Sequence, residues 1–314
     1  MTLDRRSASS SPRLIERLSA GLDAEGMPVL LIANPAKIPA SHAGHATTRG
    51  SDPDSQPSAP MITRVSVLSH GLLEETGMVA LRRRSHVSEE FRIARHHVLE
   101  MLKRPPSDDS SRHQNIVLVT SACRGEGKSF AALNLAGLLA EGGNRDVVLI
   151  DADIGHGSLT ARFNLASAPG LLEFGQPYGH SSSPSSAPST RQSARTIPVG
   201  TDIERLIFIP VGGSDNIDDR SRCAAERSVC QQVSQIATSF DDAIIVVDAP
   251  ACLAASDPTE LSVIAGQVVL VVEAGQTRHV DIEQALDLLD SCPQLSLLLN
   301  RAPRRRRGDF FAKG

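Results

Sequence analysis

The sequence predicts an α/β fold, a parallel sheet with helices on both faces, and three observations carry that expectation. Apolar, β-branched runs such as VVLID (147–151), AIIVVD (243–248) and VVLVV (268–272) alternate with segments of helical spacing. Strands buried on both faces read this way. Between Asn115 and Ala140, NIVLVTSACRGEGKSFAALNLAGLLA reads as an apolar strand, a glycine-bearing loop, Gly-Lys-Ser and a helix. Two strand segments end in aspartate, at Asp151 and Asp248, and ligands in such sheets bind beyond the carboxyl ends of the strands.

Taken in order, residues 1–85 read as a largely disordered or partner-docking region. Leu14–Leu18 could open a short amphipathic helix and Val29–Ala33 is a short apolar run. The Ser, Pro, Ala, Gly and His composition from Pro35 to Pro60 cannot bury enough apolar surface to order itself. A helix is expected from Glu89, where EEFRIARHHVLEML spaces Phe91, Ile93, Ala94, Val98 and Met101 near the helical period; Pro105-Pro106 ends it. A strand over 116–120, a helix over 128–141 and a strand over 147–151 follow. Residues 177–198 are Ser/Pro-rich and read as a surface insertion. Beyond it come a strand at 206–210, a helix around 223–239, strands at 243–248 and 268–272, a helix at 279–290 and a strand at 295–300. The folded domain is thus expected over 86–303, with a basic tail at 304–314.

Composition narrows the function. A net charge of −4 gives no global nucleic-acid signature, and 3% aromatic content with no Trp argues against base-stacking platforms. Five scattered cysteines without C-x-x-C spacing suggest neither a disulfide framework nor a zinc site and fit a reducing cytoplasm. No apolar run approaches the roughly 18 residues of a membrane span, so membrane association is expected only through a partner.

The 115–140 run is what a nucleoside triphosphate site requires. Backbone N–H groups in a tight loop and at a helix N-terminus converge on one place and favour an anion. Lys128 would reach the β/γ-phosphates and the Ser129 hydroxyl would ligate Mg²⁺. Gly125 and Gly127 permit backbone geometry and close approach that a Cβ would block; Arg124, Glu126 and Phe130 complete the candidate nucleotide-contacting stretch. The pattern G-x-x-x-x-G-K-[ST] is broken at its first position, where Ala122 stands.

Asp151 and Asp153 face the same side if both continue the strand. Beside a triphosphate they could hold Mg²⁺ or take a proton from an attacking hydroxyl; alone, each could equally cap a turn. Asp248 follows four apolar β-formers, the Walker B layout, and carries the same alternative. Asn300 could reach the nucleotide base with its amide or form a turn. Glu89, Arg92 and Arg95 follow one another at about 60° steps around a helix axis, the outer two about 120° apart, a charged stripe that is either solvated or an interface. Arg304–Arg307 is a basic run, solvated or directed at a phosphate-rich membrane surface.

With these residues in view, about 65–311 resembles the bacterial tyrosine kinases of capsule and exopolysaccharide export, in their separate cytoplasmic subtype. SEEFRIARHHVL resembles that subtype's opening helix with its E-x-x-R-x-x-R self-association motif. TSACRGEGKSFAALNLA resembles its Walker A and VVLIDADIGHGSL its second Walker motif with D-x-D. PGLLEF, IIVVDAPACLAASDP and GQVVLVVEAGQTRHVDIEQALDLLDSCPQLSLLLNRA follow in the family's order. The resemblance implies a deviant-Walker, partitioning-ATPase-like P-loop NTPase fold, use of ATP with Mg²⁺ and self-association through Glu89, Arg92 and Arg95. It also implies activation by a membrane polysaccharide chain-length regulator.

On that basis Lys128 would stabilise transferred-phosphate charge, Ser129 and Asp248 would hold Mg²⁺, Asp151 would be the base and Asp153 would assist the metal. The chain departs from the family in several places. Arg124 replaces the usual Pro, Gly155 and His156 stand where an Arg is expected, and Ala251 replaces a Pro. Phe310-Phe311 occupies the place of the tail tyrosine cluster, and the one tyrosine is Tyr178, in the insertion. Two other classes therefore stay open. One is an ATP-dependent regulatory subunit without catalysis; the other is a partitioning-type ATPase, which would carry a lysine where Cys123 stands.

Overall fold

The computed structural model describes residues 29–33, 67–81, 85–103, 112–155, 157–174, 198–212 and 219–302; for 29–33, 173 and 219–228 it describes the backbone alone. The described strands are β1 (Val29–Ala33), β2 (Val67–Leu68), β3 (His113–Ser121), β4 (Val147–Asp151), β5 (Val199–Thr201), β6 (Leu206–Ile209), β7 (Ile244–Asp248), β8 (Ala265–Glu273) and β9 (Leu295–Ala302). They form one sheet in the order β1-β9-β8-β3-β7-β4-β6-β5-β2. Every pairing is parallel except β5 with β6.

The period of two along each strand divides the core. Val117 and Val119 of β3 face one apolar cluster, and Ile116 and Leu118 face another. The first cluster is covered by α1 (His70–Thr76), α2 (His86–Leu102) and α3 (Lys128–Glu141). The second is covered by α5 (Asp219–Ser239), α6 (Asp257–Ile264) and α7 (His279–Leu288), with Val233, Leu261 and Leu286 among its buried residues. A short α4 (Leu159–Arg162) follows β4. The sheet thus carries helices on both faces, as the alternation of segments predicts.

Helix α2 starts three residues before its expected first residue. Ser85 and Ser88 form a capping box there: the Ser85 hydroxyl accepts from Ser88 N at 3.0 Å, and Ser85 N donates to Ser88 Oγ at 3.1 Å. Two polar side chains closing on each other's backbone set that end more firmly than the apolar spacing does. Strand β8 begins at Ala265, opposite His113 of β3, and β9 reaches Ala302, opposite Ala33 of β1, so pairing carries both strands beyond their expected bounds.

Ordered structure also lies ahead of residue 86. Strand β1 is the sheet edge against β9, with Val29 opposite Leu297. Residues 67–81 contribute β2 and α1; Leu73 and Met78 are each 1% exposed. The pin is Asn134 of α3, which is fully buried. Its Oδ1 accepts from Val79 N and Ala80 N, each at 2.8 Å, and its Nδ2 donates to Gly77 O at 2.9 Å and Phe130 O at 2.8 Å. One side chain therefore satisfies three main-chain groups, Val79 N, Ala80 N and Gly77 O, that would otherwise be buried without partners. The expected helix at 14–18, most of the 177–198 insertion and the 304–314 tail lie outside the described residues.

Candidate nucleotide site

Register builds the site. Asp151 of β4 is paired with Asp248 of β7, and Asp248 in turn with Val119 of β3, so the two aspartates stand side by side next to the strand that feeds the glycine loop. The loop spans 122–127 and turns directly into α3. Gly127 is the helix N-cap with φ +95°, a left-handed conformation that a side chain would strain, and a Cβ there would collide with the Asn300 amide.

Lys128 projects from the first turn of α3 into the carboxylates. Its Nζ lies 2.5 Å from Asp153 Oδ2, 3.9 Å from Asp248 Oδ1 and 3.3 Å from Ser129 Oγ, with only 11% of the side chain exposed. Burial works against the ammonium, but Asp248, Asp153 and Asp151 together outweigh it and hold the pKa above its usual value.

Asp248 is completely buried, and neither carboxylate oxygen has a hydrogen-bond partner. Burial pushes its pKa up to about 7; Lys128 and the Ser129 hydroxyl offset this in part, the latter close by but outside hydrogen-bond geometry. A buried carboxylate without donors beside a helix-N-terminal hydroxyl is the arrangement expected of a group that meets a cation through water. Among the described residues no cluster of three or more His, Cys, Asp or Glu could hold a metal alone. Ser129, Asp248 and Asp153 are the oxygen-bearing side chains here that could hold Mg²⁺ alongside phosphates.

The other predicted residues divide into those that face the cradle and those that brace it. Arg124 and Gly125 are exposed at the loop tip. Asp153 is partly exposed, and its Oδ1 accepts from Gly155 N at 3.0 Å. Asp151 is fully buried, with Oδ1 accepting from Asp153 N at 3.1 Å and Oδ2 from Thr160 N at 2.7 Å. It fastens the turn after β4 to α4, and burial, opposed by these bonds, pushes its pKa up.

Phe130 turns its ring away from the loop and packs edge-on against Phe91 of α2, with centroids 5.7 Å apart. Asn300 lies under the loop: Nδ2 donates to Glu126 O at 2.8 Å and Oδ1 accepts from Arg301 N at 2.9 Å. Each end of its amide thus makes one bond to main chain. On α2, Glu89 and Arg92 are exposed and 3.7 Å apart, beside Ile93, which is 63% exposed. Arg95 is half-buried and donates to Gly142 O at the end of α3.

The sequence reading missed Asn134, Thr160 and Thr277. Asn134 was detectable as the one amide in an otherwise apolar helix, and Thr277 as a polar residue just past a strand end.

No protein-family model matches the chain. Among curated proteins it is 28% identical over 178 residues to the tyrosine-protein kinase ptk of Acinetobacter johnsonii, covering 57% of this chain and 22% of that one. To the succinoglycan biosynthesis transport protein ExoP of Rhizobium meliloti it is 28% identical over 236 residues, covering 72% and 26%. To the tyrosine-protein kinase YwqD of Bacillus subtilis it is 26% identical over 181 residues, covering 58% and 69%. The chain therefore spans only about a quarter of the first two relatives.

Among solved structures, the kinase domain of the Escherichia coli tyrosine kinase ETK superposes with a TM-score of 0.54 at 18% identity, covering 77% of this chain and 91% of that one. The BceF tyrosine kinase domain gives 0.53 at 23%, covering 76% and 92%. Among the described residues no helix is long and apolar enough to cross a membrane. The chain is therefore similar in sequence to proteins named tyrosine-protein kinases, and it shares the fold of these two solved tyrosine kinase domains.

Proposed function

We propose that this protein binds Mg-ATP over the 122–129 loop and transfers the γ-phosphoryl group to tyrosine on another protein of an exopolysaccharide or capsule export system. The observation that carries this is Lys128 held among Asp151, Asp153 and Asp248, with Asp248 buried and without a hydrogen-bond partner.

In the proposed reaction the acceptor oxygen attacks the γ-phosphorus, the bond to the β–γ bridging oxygen breaks, and the hydroxyl proton passes to a carboxylate. Lys128 leaves Asp153 to meet the phosphates and stabilises the charge spread over the transferred group. Asp151 is the base of the proposal. The loop N–H groups and the α3 N-terminus orient the phosphates, and positioning with charge neutralisation supplies most of the rate. Mg²⁺, held by Ser129, Asp248 and Asp153, would supply further positive charge against the β- and γ-phosphate oxygens.

The relatives' names place two of them with tyrosine kinases and one with succinoglycan transport. On that support the chain works in the cytoplasm, peripheral to the inner membrane through a membrane chain-length regulator. Self-association would use the exposed Glu89 and Arg92 with the neighbouring exposed Ile93, while Arg95 contributes by holding α2 against the end of α3. Arg92→Glu would place like charges together in such a contact, costing several kcal/mol. In multi-angle light scattering with Mg-ATP the variant should remain a monomer while the wild type assembles. Equal masses would remove this stripe from the interface.

One observation favours a second reading, an ATP-dependent regulatory subunit without transfer. Residues 301–314 hold no tyrosine, and the only tyrosine in the chain is Tyr178. Autophosphorylation on tyrosine must therefore map to Tyr178 or be absent. Mass spectrometry after incubation with Mg-ATP is expected to show the chain unmodified on tyrosine. Phosphate on Tyr178, lost in Lys128→Ala, would instead make the protein an autokinase.

A further inference from the structure

We infer that Thr277 is a positioning residue that shapes the nucleotide loop through the buried side chain of Glu126. The inference rests on the nucleotide-binding reading above. Glu126 sits in the loop next to the exposed Arg124 and Gly125, yet it is 3% exposed. Its Oε2 accepts from Cys123 N at 2.9 Å, so the side chain closes a ring across the loop's own first half. Its Oε1 accepts from the Thr277 hydroxyl. Thr277 Oγ1 in turn accepts from Glu273 N at 2.9 Å, which anchors it to the end of β8. The Glu126 carbonyl takes the Asn300 amide from the end of β9, and Arg301 and Glu273 pair at 2.7 Å to join those two strand ends. The loop is therefore tied from below to both neighbouring strands.

The hydroxyl matters because a buried carboxylate oxygen without a donor is costly. Burial already works against the Glu126 charge, and the Thr277 bond is the foremost of the contacts that offset it. Without Thr277 the carboxylate has reason to swing toward water or take a proton. Either change loosens its hold on Cys123 N, and the loop N–H groups that must converge on phosphate lose their fixed directions. Thr277 itself touches no phosphate in this scheme; its action passes through Glu126.

Calorimetric titration of the full chain with Mg-ATP, beside thermal melts of the nucleotide-free protein, tests this. Thr277→Val keeps the shape and removes the hydroxyl; its Kd should rise about tenfold or more, the effect of roughly 1.4 kcal/mol. Thr277→Ser should restore affinity to within about twofold of wild type, since the same hydrogen bond is retained. In a Glu126→Ala background Thr277→Val should change Kd no further, because the two act as one unit. Thr277→Ala replaces the valine variant should that one fail to fold. A valine variant that binds like wild type, a serine variant as weak as valine, or full additivity with Glu126→Ala each overturns the inference alone. A wild type that binds no Mg-ATP overturns the nucleotide reading, and this inference with it.

Discussion

Lys128→Ala is expected to weaken Mg-ATP binding by about tenfold or more, the loss of at least 1.4 kcal/mol, and to remove detectable phosphoryl transfer. The side chain starts α3 directly after the loop and reaches the carboxylates at the strand ends, enclosed with 11% exposure, where screening is weak. Transfer should suffer more than binding, since charge on the transferred group is neutralised most in the transition state. Titration calorimetry checks the first effect. Melting must be followed in parallel, because the substitution leaves Asp153 and Asp248 without their counter-charge. Equal affinity in a folded variant would place the nucleotide elsewhere.

Asn134→Leu should be the most damaging substitution for folding. It orphans Val79 N, Ala80 N and Gly77 O, each buried against α3. An unsatisfied buried polar group costs about 1–3 kcal/mol, and some of these groups can find water. A loss of about 3–6 kcal/mol is therefore expected, a large share of the roughly 5–15 kcal/mol that stabilises a domain. Asn134→Asp keeps the acceptor for Val79 and Ala80 but loses both donor bonds, and should fall between. Urea unfolding monitored by circular dichroism measures the shift; an unchanged midpoint for Asn134→Leu would mean that residues 67–81 contribute nothing to the stability of the sheet.

These cases show what the sequence can and cannot reveal. The strands at 116–120, 147–151, 206–210 and 243–248 were legible because double-sided burial demands uninterrupted apolar, β-branched residues. Helix α3 was legible to its first and last residues because Gly127 and Gly142 bracket an apolar run. Strands β2 and β5 were not, since two or three residues carry no periodicity. Strand β1 was visible only as an apolar run; its place follows from pairing with β9, more than 260 residues away in sequence.

In the site, the aspartates were legible from their position at strand ends, and Lys128 and Ser129 from the loop pattern. The bracing roles of Glu126, Asn300 and Phe130 were hidden. Each depends on which way a side chain turns at a position where the motif constrains only the backbone. Thr277 was hidden for a related reason: its partner Glu126 lies 151 residues away.

The account stands most directly on one transfer measurement. The purified chain, with ATP labelled at the γ-phosphate, Mg²⁺ and a tyrosine-bearing protein substrate, should place label on tyrosine of the added protein. It should place none on residues 301–314, and no transfer should occur with Lys128→Ala or without Mg²⁺. Transfer that persists in folded Lys128→Ala, or a wild type that binds Mg-ATP yet labels no substrate with or without a membrane chain-length regulator, would contradict it.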